Sequence, residues 1–206
     1  EALAESLGRR PAIMGVFGAF NYGLHLFGGY LGGRFLSNRN LFVGGMLLQV
    51  LGCGTMSVGT VDTMYLGLAL FLTGSGLNVT CINMMLTQRF APADLRRESA
   101  FFWNYAGMNV GFFVGFAVAG HYQLTESYSR LFLFATIGNF LAIVLAFFNW
   151  KVLADRSTWL LDATPRQYRA RFVAGIVILI GIVPIVWYML QRTGSTSTIF
   201  TAASVV

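Results

Sequence analysis

Charge is what this sequence has least of. Of its 206 residues only 11% are Asp, Glu, Lys or Arg, while 56% are hydrophobic and the mean hydropathy is +0.65. A water-soluble domain carries roughly a quarter charged residues, so an ordinary soluble fold is excluded. Cysteine is also scarce. Cys53 and Cys81 are the only two; both fall in apolar runs without metal-ligand spacing, so no disulfide and no metal is expected. The apolar runs contain no acids, which removes the carboxylate pair that acid–base hydrolysis needs. Both histidines lack a partner at local spacing, and no nucleophile stands beside a base. Gly74-Ser75-Gly76 is too short and too deep in a run to cradle a nucleotide. The chain is therefore expected not to be an enzyme and to need no cofactor.

What is present is a set of charge-free stretches: Pro11 to Gly33, Asn40 to Val61, Thr63 to Gln88, Ser99 to Thr125, Leu131 to Trp150 and Phe172 to Gln191. A hydrocarbon core of about 30 Å takes roughly 20 apolar residues of helix, so each stretch can cross it and six spans are expected. The runs are continuously apolar rather than alternating, which argues against a β-barrel. The net charge of +6 comes from bases scattered over the connections, with no aromatic interleaving, so nucleic acid is not an expected partner.

Bases gather on the cytoplasmic side of membrane proteins. Arg34 and Arg39, then Arg89, Arg96 and Arg97, then Lys151, Arg156, Arg166, Arg169 and Arg171 fall on one side if every run spans. The other side holds Arg9, Arg10, Arg130 and Arg192. The loops around Arg34, Arg89 and Lys151 are accordingly placed in the cytoplasm, and Glu1 outside. Since the chain begins without Met or a cleavable signal segment, a span is expected upstream. The sequence reads as an internal piece; the alternative is a small complete protein with its N-terminus outside. Residues 151–171, with charges of both signs around Trp159, Leu160 and Leu161, read as an interfacial cytoplasmic linker. Beyond it Ile and Val replace Gly and Phe, so the sixth span has the character of an appendage.

The stretch Gly28-Gly29-Tyr30-Leu31-Gly32-Gly33-Arg34-Phe35-Leu36-Ser37-Asn38-Arg39 resembles the major facilitator loop pattern G-G-x-x-x-D-R-x-x-x-x-R. Further segments follow in order. Gly74-Ser75-Gly76-Leu77, then Asp94-Leu95-Arg96-Arg97-Glu98-Ser99-Ala100-Phe101, then Tyr105 with Asn109-Val110-Gly111 resemble three motifs of the proton-dependent oligopeptide transporter family. Those are G-x-G-(L/F)-x-K-x-N, D-x-R-R-x-x-x-F and Y-x-x-x-N-(I/L/V)-G. Tyr22, six residues before Gly28, stands where the family's second helix has a tyrosine. The last run, with Pro184 inside it, resembles the first of two helices that many bacterial members insert between their halves.

The resemblance implies an all-α major facilitator fold, in part an N-terminal six-helix bundle. Residues 1–150 would be helices two to six, 151–171 the linker, and 172–206 an inserted helix and the turn after it. A first helix and a C-terminal half would lie elsewhere in the parent chain and pack against this segment. It also implies inward transport of di- or tripeptides with protons, by alternating access, in a bacterial inner membrane. Tyr22, Tyr105 and Asn109 would contact the peptide, and Gly28, Gly29, Arg34 and Arg39 would belong to a cytoplasmic gate loop. Three departures bear on that role: Gly33 replaces the loop aspartate, Val79 the fourth-helix lysine and Cys81 the asparagine two residues on. Asn104 and Met108 also depart from the fifth-helix pattern, so the chain resembles a divergent member.

From the residues alone, Tyr105 and Asn109 are four apart and share a helix face. They could bond a peptide's carbonyl and termini, or simply a neighbouring helix. Tyr22 and His25, three apart, share a face too. His25 matches no family motif; animal members have a histidine at the position of Gly15. It could titrate near neutrality and take part in proton coupling, or be a packed helix residue. Gln49, Asn78, Asn83 and Asn139 are expected to join helices. Transport of another small solute, or a non-transporting membrane scaffold or receptor built on Gly-rich faces, are the alternative functions.

Overall fold

A computed structural model describes residues 2–156 and 158–191, with side chains from 15 onward apart from 16, 17, 61 and 62. Six helices follow one another: α1 (Ala2–Leu31), α2 (Asn38–Met56), α3 (Val61–Thr87), α4 (Arg96–Leu124), α5 (Tyr128–Phe148) and α6 (Pro165–Gln191). Most of each charge-free stretch falls within one of them. Among the described residues four are long and apolar enough to cross a membrane: Thr63–Thr87 within α3, then α4, α5 and α6. The chain is an all-α, multi-pass membrane protein. The turn expected after the last run lies outside the described residues.

Local signals account for the helix starts. Ser37 caps α2, its hydroxyl accepting from the Asn40 N–H at 3.2 Å. Thr60 and Thr63 form a reciprocal capping box at the start of α3, satisfying amides that have no partner inside the helix. Gly59, at φ +82°, makes the turn before it, a conformation costly for residues with a β-carbon.

In lipid, apolar side chains gain little from leaving the solvent, so helix pairing depends on close fit at small residues. The α2–α3 pair is built this way. Gly45 and Gly52 on α2 are seven residues apart, as are Gly74 and Gly67 on α3, and they meet in antiparallel order. A β-carbon on Gly52 would lie 2.6 Å from the Phe71 nitrogen and 2.7 Å from the Gly67 oxygen. On Gly67 it would meet the Gly52 oxygen at 2.7 Å, and on Gly74 the Gln49 nitrogen at 3.1 Å. Gln49 and Asn78, both buried, lie in this contact.

Around the pair, α1 and α6 pack on α3, and α5 packs on α2. Leu31, Leu36, Leu41, Leu77 and Cys81 are almost fully enclosed and form one core; Leu24, Ala69, Leu72, Val186 and Leu190 form a second. α6 begins at Pro165, inside the segment read as linker. Its Gly175 sits against Phe35 and Leu36, where a β-carbon would be 2.7 Å from Leu36 Cγ. α4 contrasts with the rest: none of its residues is buried, and Phe102, Phe113 and Phe116 are 68 to 76% exposed. In a membrane, lipid or further protein must cover those rings.

Enlarging Gly52 or Gly67 to Val should push α2 and α3 apart, lowering stability by about 1–3 kcal/mol. Gly54→Ala, at a site with no neighbour within 4 Å, should leave it unchanged. Melting temperatures in one detergent, read from unfolding-dependent fluorescence, decide the matter.

Candidate functional site

The three basic connections converge at one end of the molecule. Here α1 gives way to a tight turn in which the Gly33 N–H donates to the Leu36 carbonyl at 2.7 Å. Gly33 has φ +74°. Gly28 and Gly29, expected in the gate loop, stand in the last turns of α1, just before it. Their place is dictated by packing, since β-carbons there would lie 3.1 Å from the Leu77 Cα and from Thr80 Cγ2.

Arg34 and Arg39 are held by aromatic rings, one of them a turn away and two from distant parts of the chain. The Arg34 guanidinium lies 5.0 Å from the centre of Tyr30 and 5.6 Å from that of Trp159. The Arg39 guanidinium stacks 4.1 Å over Trp150 and donates to that residue's carbonyl at 2.8 Å. Both are cation–π arrangements. Arg89, after α3, donates to the Ala154 carbonyl at 2.7 Å, and the Arg156 N–H donates to Gln88 Oε1 at 2.8 Å. Burial, then the repulsion of Arg156, lowers the Arg89 guanidinium from its ordinary value, with Asp155 acting the other way.

Residues 149–156 and 158–164 are thus docked rather than a free spacer. The Leu160 N–H donates to the Gly33 carbonyl at 3.0 Å, and Leu160 is buried while Trp159 and Leu161 are exposed. Asp155 accepts from the Asn38 N–H, at 2.9 Å to Oδ2 and 3.2 Å to Oδ1. Sequence reasoning missed Asp155, Trp150 and Thr158. No local pattern marks them, because their partners are more than a hundred residues away in the chain.

The residues expected to touch substrate are placed differently. Tyr22 is 73% exposed on α1 and Tyr105 66% exposed on α4. No hydrogen bond or ring contact joins Tyr22 to Tyr105 or Asn109 among the described residues. Asn109 Nδ2 donates to the Tyr105 carbonyl, one turn back, at 2.8 Å. His25 sets its ring edge-to-face with Tyr22 at 6.0 Å. Its Nε2 is buried without a partner among the described residues, and its carbonyl accepts from Thr80 Oγ1 at 2.6 Å. Val79 is half-buried and Cys81 is buried, so these two of the departures from the family pattern are apolar side chains suited to a core. Of the polar residues expected to join helices, Asn139 does so, pointing Nδ2 at Cys53 Sγ across 3.9 Å while also donating to the Ala135 carbonyl; Asn83 is exposed.

The Asp94-Leu95-Arg96-Arg97 segment starts α4. Asp94 Oδ1 accepts from the Arg96 N–H at 3.0 Å, and its carboxylate pairs with the Arg96 side chain at 2.8 Å. A cleft of about 620 Å³ lies here, lined by Pro92, Asp94, Arg97, Glu98 and Phe101 among others. None of the expected substrate residues lines it.

No protein-family model matches the chain. The peptide transporter YePEPT of Yersinia enterocolitica is 27% identical over 184 residues, covering 84% of this chain and 36% of that protein. Dipeptide and tripeptide permease A of Citrobacter koseri is 26% identical over 176 residues, covering 81% of this chain and 34% of the permease. A crystal structure of the peptide transporter POT in complex with sulfate superposes with a TM-score of 0.70 at 26% identity, over 89% of this chain and 38% of that one. The chain is therefore a helical membrane protein similar in sequence and in fold to peptide transporters. It spans about a third of the length of the curated relatives it matches.

The Arg96 bonds hold the Asp94 carboxyl below the usual carboxylate range. A depressed folded value contributes stability above the unfolded value and loses it as pH falls through the folded one. The protection factor of the amides at the start of α4, their exchange taken relative to unstructured amides at the same pH, should therefore hold at neutral pH and fall as acid protonates Asp94. In Asp94→Asn the protection factor should be lower at neutral pH and nearly independent of pH.

Proposed function

We propose that the parent protein carries out secondary active transport, bringing di- or tripeptides inward with protons by alternating access. The observation that carries this reading is the joint similarity in sequence and fold to peptide transporters over more than four-fifths of this chain. The chemistry agrees with it, since the structure offers aromatic and amide groups on exposed helix faces. In this reading the chain is a transporter, not an enzyme, and the basic end with Arg34, Arg39 and Arg89 faces the cytoplasm of a bacterial cell.

Six spans are proposed in all, α1 and α2 crossing beside the four apolar helices, as the second and third helices of an N-terminal bundle. Tyr22, Tyr105 and Asn109 contact the peptide near the bilayer centre. They do so once the helices of the rest of the protein enclose the exposed faces of α1 and α4. His25 contributes to proton coupling, the unpartnered Nε2 being the atom that takes the proton. The Arg34 and Arg39 turn closes the cytoplasmic gate. A second reading, a different small solute, is favoured by one observation: Val79 offers no cation for a carboxylate.

Vesicles containing the full-length protein should take up labelled dipeptide saturably, and uptake should collapse with an uncoupler. Uptake that survives the uncoupler ends the proton-coupled reading; uptake of no di- or tripeptide favours the other solute. Tyr105→Phe and Asn109→Ala should each raise KM by about three- to ten-fold, the loss of one hydrogen bond, without lowering the amount inserted. His25→Gln should flatten the dependence of uptake on pH between roughly 5 and 8; an unaltered profile would return His25 to a packing role.

A further inference from the structure

We infer that Asp155 supplies, from the α5–α6 linker, the carboxylate that the major facilitator loop pattern places at position 33, and so makes the linker a fixed part of the cytoplasmic end. Both of its oxygens face the Asn38 N–H, the first amide of α2, whose own first turn contains no acid. A helix start exposes unpaired N–H groups and the positive end of the helix dipole, and a carboxylate there forms a charge-assisted bond. Ser37 takes the Asn40 amide; Asp155 takes that of Asn38, one of those Ser37 leaves.

The space at position 33 explains why the acid arrives from elsewhere. A β-carbon on Gly33 would lie 3.1 Å from Thr158 Cγ2, 3.3 Å from Thr158 Cβ and 3.7 Å from Asn38 Nδ2. A side chain at 33 would therefore point at the start of α2, into the place the linker's Thr158 fills. Loop acid and docked linker compete for one site, and this chain has the linker. Asn38 is 1% exposed, Thr158 6%, so the junction is closed. The neighbouring bonds, Arg39 to the Trp150 carbonyl, Arg89 to the Ala154 carbonyl and Leu160 to the Gly33 carbonyl, bring the linker against both other basic connections. Asp155 is thus a positioning residue for the Arg34 and Arg39 turn. Its contribution to gating rests on the transport reading; the docking does not.

Cys81 reports on the docking, because it is fully buried in the core that includes Leu31, Leu36 and Leu41 beneath this turn. Its labelling by a membrane-permeant maleimide requires local opening. In the full-length protein carrying Cys53→Ser, labelling of the Cys81 peptide in vesicles is followed by mass spectrometry. Asp155→Ala should speed it about ten-fold, as expected for losing hydrogen bonds to a charged group. An unchanged rate in Asp155→Ala overturns the inference. Should Asp155→Ala not accumulate, Asp155→Asn, which keeps one acceptor oxygen but not the charge, takes its place with the same expected direction and the same overturning result. Labelling needs no solute and no gradient, so its outcome is separate from that of the uptake experiments.

Discussion

The structure depends on how closely α2 and α3 approach. Gly45 and Gly52 face Gly74 and Gly67, and at each position a β-carbon would come within about 3 Å of the opposite helix's backbone. That proximity places Gln49 and Asn78 in the contact and leaves the outer faces of the pair for α1, α5 and α6 to cover. Without water to drive apolar surfaces together, such steric fit is the main source of specificity between helices in lipid. Gly28, Gly29 and Gly76 repeat the device between α1 and α3, with Leu77, Thr80 and Leu24 as their neighbours. Gly28 and Gly29 of the loop pattern thus take part in helix packing, and the turn itself is the few residues around Gly33.

The basic end is organised by a different principle. Arg34 and Arg39 rest on aromatic rings, and Arg39 and Arg89 donate to backbone carbonyls of the linker. A guanidinium can do all of this while staying charged, because it has five donors and a flat face that tolerates stacking. The arginines therefore act as the clasps of the linker.

The polar groups assigned to substrate have the opposite character. Tyr22 and Tyr105 stand on faces with little protein against them, and α4 has no buried residue. Asn109 spends its amide on the carbonyl one turn back, as polar side chains in helices often do when no other partner is present. A site made by such residues is completed by other helices, consistent with a chain that spans about a third of the length of its relatives.

Much of this was legible in the sequence. Six charge-free stretches marked six helices because burial in lipid leaves no other economy for a backbone, and the alternating bases put Arg34, Arg89 and Lys151 at one end. What tertiary structure alone decided is which groups meet across long separations. Asp155 reaches Asn38, Arg39 reaches Trp150, and Thr158 fills the place of a side chain at 33. Hydropathy and spacing record what each residue needs, an apolar neighbour or a charge partner, but not who supplies it; that is chosen only when helices with glycine faces come within touching distance.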